Sequence, residues 1–287
     1  MFNKRHIVRT IAATVSILAL SFTAACGSGQ STASNSTDSD DITQQTYKPG
    51  KLTIATGQPA YEPWVMNDKP ESGEGYEAAV AYAVADKLGF KKSDVVWTRT
   101  AFDTAIAPGA KDWYFNIQQF GITDERKKAV DFSSSYYNDS QSVVVKKDSK
   151  FANATKVSDL KDATVGVMVG TLAYDYAKAN IKDDIQTFND DAALAQALDA
   201  GQIDALVTST VECVYMVQSE QVKDAKVLGR LPDSEDKSGM GIVLPKDSKL
   251  TAAVTKAVDD LNADGTIKKL QDKWLAEYTT DLTELKK

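Results

Sequence analysis

Gln118-Gln119-Phe120-Gly121-Ile122-Thr123-Asp124-Glu125-Arg126-Lys127-Lys128-Ala129-Val130-Asp131-Phe132 is the stretch on which the reading of this chain turns, with Ser133-Ser134-Ser135-Tyr136-Tyr137 directly behind it. Thr123 followed by two acids suits a helix start, because a hydroxyl and carboxylates complement the unpaired N–H groups and positive dipole end of a first turn. Arg126 then stands on that turn. From spacing alone two roles are open to it. One is a surface ion pair with Asp124 or Glu125, worth under about 1 kcal/mol. The other is a guanidinium that grips a carboxylate through two parallel charge-assisted bonds.

The run from Ile122 to Ser133, followed by Tyr136-Tyr137, resembles the signature of the polar amino-acid solute-binding proteins that feed ABC importers, the glutamine-binding-protein-like members of bacterial extracellular solute-binding protein family 3. The likeness extends over roughly Lys51 to Tyr278. It implies an α/β, type II periplasmic-binding-protein fold, with two α/β sandwich lobes joined by two hinge strands and the ligand in the cleft between them. The arginine of the motif clamps the ligand's α-carboxylate in that family, which implies this role for Arg126. By the same likeness the turn Gly170-Thr171-Leu172 holds that carboxylate from the other lobe, and Tyr61, two places before the second proline of its loop, lines the pocket. Phe102 matches a second pocket aromatic, and Gln119 stands where family members present backbone carbonyls to the α-ammonium.

Composition sets the broad class. Lys4, Arg5 and Arg9 precede an apolar run from Ile11 to Phe22, and Thr23-Ala24-Ala25 lead to Cys26. That is a secretory signal over residues 1–25, too short for a membrane span. A cysteine directly after small residues resembles a lipoprotein processing site, although Thr23 stands where leucine is usual. Residues 26–46 then form a lipidated cysteine and a polar, flexible tether. The expectation is a body held at the outer face of the cell membrane by a lipid anchor.

The formal charge of −7 argues against nucleic acid as a partner, and loss of the signal would remove three basic residues and no acid. The one histidine, His6, lies in the signal, so the mature chain lacks His-based triads and His metal ligands. No metal and no cofactor are expected. With Cys26 lipidated, Cys213 is the sole thiol and packs as a small apolar group, and no intrachain disulfide forms.

Two similar β/α series follow the tether. Strands are expected at 51–56, 94–98, 113–118 and 142–146, with a helix from Tyr76 to Leu88 and a short helix after Ala101. The second series has strands at 164–169, 185–188, 204–207 and 225–231, a helix from the Gly170 turn to Asn180, and another capped by Asn189 and Asp190. A strand at 239–245 returns to the first lobe, and two helices close the chain. Residues 47–142 and 240–287 would make lobe 1, and 143–239 lobe 2.

Ligands bind beyond the strand ends of open α/β sheets. The Gly170-Thr171-Leu172 turn offers free N–H groups as an anion cradle. Tyr61, Trp64 and Phe102 offer flat walls to a side chain, or pack as ordinary core. Two positions depart from the family pattern. Gly121 stands where a serine or threonine usually bonds the ligand, and Ser209 replaces the aspartate that pairs the α-ammonium. Either Glu212, one helical turn on, replaces that carboxylate and faces the cleft, or the ligand lacks an ordinary α-ammonium. Glu77 reads as a first-turn acid favoured by the helix dipole.

The function expected is a monomeric receptor that captures a small amino acid or close analogue by lobe closure and passes it to an ABC permease. The rival is a cleft enzyme on the same fold, such as a dehydratase. Glu62, Glu77, Glu212 or lysines would have to serve it as acid or base, and no pair among them has a defined geometry. An adhesin or sensor ectodomain is disfavoured by the lack of repeats.

Overall fold

The structure is a computed structural model describing residues 42–44, 46, 48–279 and 282–287. The expected signal, Cys26 and nearly all of the tether lie outside the described residues.

Lys51 onward folds as a strand-helix-strand unit. β1 (Leu52–Thr56) and β2 (Val95–Arg99) pair in parallel with Leu52 opposite Val95, and α1 (Tyr76–Lys87) connects them. Tyr76, Val80 and Val84, spaced by four, are fully buried along one side of α1. No side chain caps this helix; the Pro63 and Trp64 carbonyls accept the Tyr76 and Glu77 N–H groups at 3.0 and 2.9 Å. Gly75 makes that approach possible, since a Cβ there would sit 2.5 Å from the Trp64 carbonyl oxygen.

α2 (Phe102–Ile106) leads to β3 (Phe115–Asn116), which pairs with β1. The strand expected over 113–118 thus contracts to two residues, because the chain leaves the ladder as soon as it nears the cleft. Thr123 starts no long helix. Its hydroxyl accepts the Arg126 N–H at 3.1 Å, and a single 3₁₀ turn, Arg126–Lys128, ends in β4 (Val130–Tyr137). β4 was not anticipated, since three consecutive serines interrupt its apolar alternation.

β5 (Gln141–Lys146) carries the chain into a second sheet. Val143 and Val145 pack with Val165, Val167 and Val207 on one face, and Val144 with Leu194, Leu198 and Leu206 on the other. A strand covered on both faces reads as an unbroken apolar run. The second lobe continues through β6 (Val165–Met168), α3 (Leu172–Asn180), β7 (Gln186–Phe188), α4 (Asp191–Asp199), β8 (Ala205–Ser209), α5 (Thr210–Gln218) and β9 (Ala225–Arg230). β10 (Met240–Pro245) rejoins the first sheet, and α6 (Thr251–Ala263) and α7 (Thr266–Trp274) pack behind it. Strand orders are β2-β1-β3-β10-β4 and β7-β6-β8-β5-β9, so one topology occurs twice and the chain crosses between sheets after β4 and after β9.

The end of the chain corrects the assignment of 240–287 to one lobe. Leu285 is 4% exposed within the second lobe's core, its N–H donates to the Arg230 carbonyl at 2.9 Å, and the Val157 N–H donates to Lys286 at 2.8 Å. Gly229 leaves room for this tail, since a Cβ there would lie 2.6 Å from the Thr283 carbonyl oxygen. A single leucine in a polar tail gave no periodicity to read.

Candidate ligand-binding site

Loops at the ends of β1, β3, β6, β7 and β8 converge on a cavity of about 210 Å³. One water needs roughly 10–15 Å³, so this is ligand-sized space. The first lobe contributes the loop around Tyr61, Phe102, Gln118, Gln119, Gly121 and Arg126. The second contributes Thr171 to Ala173, Asp190 and Asp191, Thr208 and Ser209, and Glu212, while the crossovers supply Asp139 and Asp236.

Arg126 spans the gap. Its guanidinium donates to the Gly121 carbonyl at 2.6 Å and, across the cleft, to the Gly170 carbonyl at 2.8 Å. The Phe102 ring lies 5.4 Å beneath it as a cation–π platform, itself stacked on Phe120 at 4.7 Å. Arg99 and Arg230 have carboxylate partners, whereas Arg126 has no ion pair among the described residues. Burial draws its pKa down, opposed by the charges of Asp175 and Asp236. At the facing turn, Thr171 caps α3 by accepting the Tyr174 N–H at 3.2 Å. The Leu172 and Ala173 N–H groups, both at the cavity, donate to no acceptor among the described residues. Free donors at a helix start beside a guanidinium suit a carboxylate.

Tyr61 lines the cavity, and its hydroxyl accepts the Ala192 N–H at 3.3 Å across the cleft. Trp64 does not line it. That ring is fully buried in the first lobe's core, edge-on to Tyr137 at 5.5 Å, so its reading as a pocket wall is corrected to core packing. Gly121 abuts Leu172, whose Cδ1 would be 2.5 Å from a Cβ at that position, so the leucine occupies the space a hydroxyl side chain would take. Ser209 caps α5, accepting the Glu212 N–H at 3.3 Å, and thereby turns Glu212 inward, where it is 6% exposed.

Sequence reasoning missed the other acids. Thr208 Oγ1 bridges Glu212 at 2.7 Å and Asp191 at 3.4 Å. Asp191 follows the Asn189-Asp190 pair that reads as a cap, and the strand-end rule is the one signal that would have placed it here. Burial raises the pKa of both, and for Asp191 the Glu212 charge adds to it. Glu77 stands in the first turn of α1, as its position before the apolar run suggests, and is fully buried outside the cavity. It accepts from the Tyr136 hydroxyl, from the Gln119 N–H at 2.7 Å and from the Gln119 side chain. These bonds hold Gln119, which lines the cavity, at φ +51. Cys213 is a buried free thiol, as its composition suggests.

Burial pushes the carboxyls of Glu77 and Asp139 up to about 7 from 4.5 and 3.8. The folded protein therefore binds these protons more tightly than the unfolded chain. Their stabilising contribution is complete below the unfolded values and is lost as pH rises through about 7. The Tm of the ligand-free protein is expected to fall between pH 5 and pH 8, by about 2–4 °C per kcal/mol lost. Thermal scans of Glu77→Gln should show a shallower fall, and an unchanged slope would refute the assignment.

A family model described as bacterial extracellular solute-binding proteins, family 3, matches residues 52–277. The L-arginine-binding protein of Pseudomonas aeruginosa is 29% identical over 246 residues, 80% of this chain and 88% of that protein. The L-cystine-binding protein TcyJ of Escherichia coli is 29% identical over 223 residues, 77% of this chain and 81% of that one. Among solved structures, an ancestral arginine-binding protein bound to arginine superposes with a TM-score of 0.67 at 31% identity, covering 78% of this chain and 98% of that one. Since the family match runs from β1 past α7 and so through both sheets, this chain belongs to the bacterial extracellular solute-binding proteins of family 3.

Proposed function

We propose that this protein is the receptor of an ABC importer, capturing a free amino acid or close analogue between its lobes and delivering it unchanged to a membrane permease. The observation that carries this reading is Arg126, a cation without a carboxylate partner among the described residues that reaches from one lobe to the Gly170 carbonyl of the other. The ligand's α-carboxylate lies against Arg126 and the Leu172 and Ala173 N–H groups, Tyr61 and Phe102 flank its side chain, and Gln119 and Gly121 face it from the first lobe. Glu212 takes the place of the carboxylate that Ser209 does not provide, and receives the α-ammonium. Contacts from both lobes form together only on closure, so the ligand selects the closed form through its differential affinity.

The lobes hinge where the chain crosses between sheets, with 47–142 and 240–279 as the first lobe and 143–239 as the second. The receptor acts as a monomer at the outer face of the cell membrane, tethered by a lipid on Cys26 once residues 1–25 are removed. Cys26→Ala is expected to move the protein from the membrane fraction to the soluble fraction, and retention in the membrane would refute the anchor. Calorimetry against the twenty amino acids, with mass spectrometry of the ligand after long incubation, tests capture itself. A bound ligand recovered intact supports it; turnover would favour the enzyme, and no amino acid binding would refute capture.

A further inference from the structure

The cavity holds one cation and five carboxylates, and its two ends differ. Asp175 and Asp236 are the acids whose charges act on Arg126. At the other end burial raises the pKa of the Tyr61 hydroxyl, and the charges of Asp190, Asp191 and Glu212 raise it further. Asp191 is 8% exposed, its Oδ1 has only the 3.4 Å contact with Thr208, and its Oδ2 accepts no hydrogen bond among the described residues. No lysine or arginine forms an ion pair with Asp191 or Glu212 among the described residues, although they share the hydroxyl of Thr208. Buried carboxylates this close repel one another, and the repulsion is relieved when one of them takes a proton or when a cation enters. A zwitterion offers one ammonium, which a single carboxylate balances, and leaves the other acid without a counter-charge.

From the capture reading above, in which Glu212 takes the α-ammonium, we infer that the ligand is an amino acid of net charge +1, whose second cationic group is received by Asp191 beside the Tyr61 hydroxyl. Asp191 determines specificity, while Glu212 and the Arg126 end are indifferent to the side chain. Arginine and citrulline provide the decisive comparison, since they are nearly the same shape and differ by the charge. Arginine is expected to bind at least about thirtyfold more tightly than citrulline. Lysine and ornithine should exceed norleucine and glutamine likewise.

Asp191→Asn and Glu212→Gln keep the shape and remove one buried charge each, so both variants should fold with Tm at or above the parent. Asp191→Asn is expected to weaken arginine binding about tenfold or more while citrulline affinity stays within about threefold, whereas Glu212→Gln, at the α-ammonium, should weaken both ligands alike. Asp272→Asn, at an exposed acid of α7 outside the cavity lining, controls for net charge and should leave the ratio unchanged. Citrulline or glutamine binding as tightly as arginine, with that binding still dependent on Arg126, would overturn the cation assignment and leave capture standing. An arginine preference that survives in the Asp191→Asn, Glu212→Gln double variant would also overturn it. Failure of every amino acid to bind would overturn both.

Discussion

Arg126→Ala is expected to weaken ligand binding by about 2–5 kcal/mol, a loss of thirtyfold or more in affinity. The side chain is held in place by its neighbours. Phe102 supports its plane, and the Gly121 and Gly170 carbonyls take two of its donors at 2.6 and 2.8 Å. A guanidinium has five N–H donors, so the remainder of the fork is available to a carboxylate at little further cost in side-chain entropy. Truncation removes the opposite charge and also the bond that ties the first lobe to the Gly170 turn. Arg126→Lys keeps the charge without the planar fork and should fall between the parent and the alanine variant. Calorimetry on protein with an unchanged circular dichroism spectrum is the measurement. Affinity within about threefold of the parent would place the carboxylate elsewhere.

The largest loss of stability is expected from Gly75→Ala. The residue sits at φ +100 and ψ 157, a region essentially reserved for glycine and costing other residues about 1–3 kcal/mol. Its added methyl would meet Trp64 O at 2.5 Å, Trp64 C at 2.7 Å and Val65 Cα at 2.7 Å, all of them backbone atoms that cannot rotate away. Overpacking of this kind costs about 1–3 kcal/mol more. The sum, about 2–6 kcal/mol, corresponds to a Tm lowered by roughly 4–24 °C. Displacing the Pro63-Trp64 backbone would also uncap α1 and shift the loop that carries Tyr61, so ligand affinity should fall along with Tm. A variant as stable as the parent would mean that this loop closes on α1 less tightly than 2.5 Å implies.

How much of this was readable beforehand depended on how far apart the partners are in the chain. The β/α units around β1 and β6 follow from apolar spacing within a dozen residues, and Arg126 was marked by a local motif. Trp64 was left between pocket wall and core, because two neighbouring prolines describe a loop well but do not reveal that its tryptophan turns down onto Tyr137, far along the chain. Glu77 was legible as a first-turn acid, but its burial and its partners were not, for the same reason. Its donors, Gln119 and Tyr136, lie 42 and 59 residues away. Asp191 was concealed by a sufficient local explanation, since an acid beside an N-cap needs no second role. Spacing sees what one element does to itself, whereas the cleft is made by elements that meet only after folding.

The path of the final residues bears on how motion in this molecule can be observed. Ile42 rests against the core of the first lobe, while Leu285 is anchored in the other and Lys287 pairs with Asp233 beside it. Fluorophores attached near these two ends therefore ride on opposite halves of the body. Energy transfer between them would register opening and shutting directly, with no label placed inside the cleft.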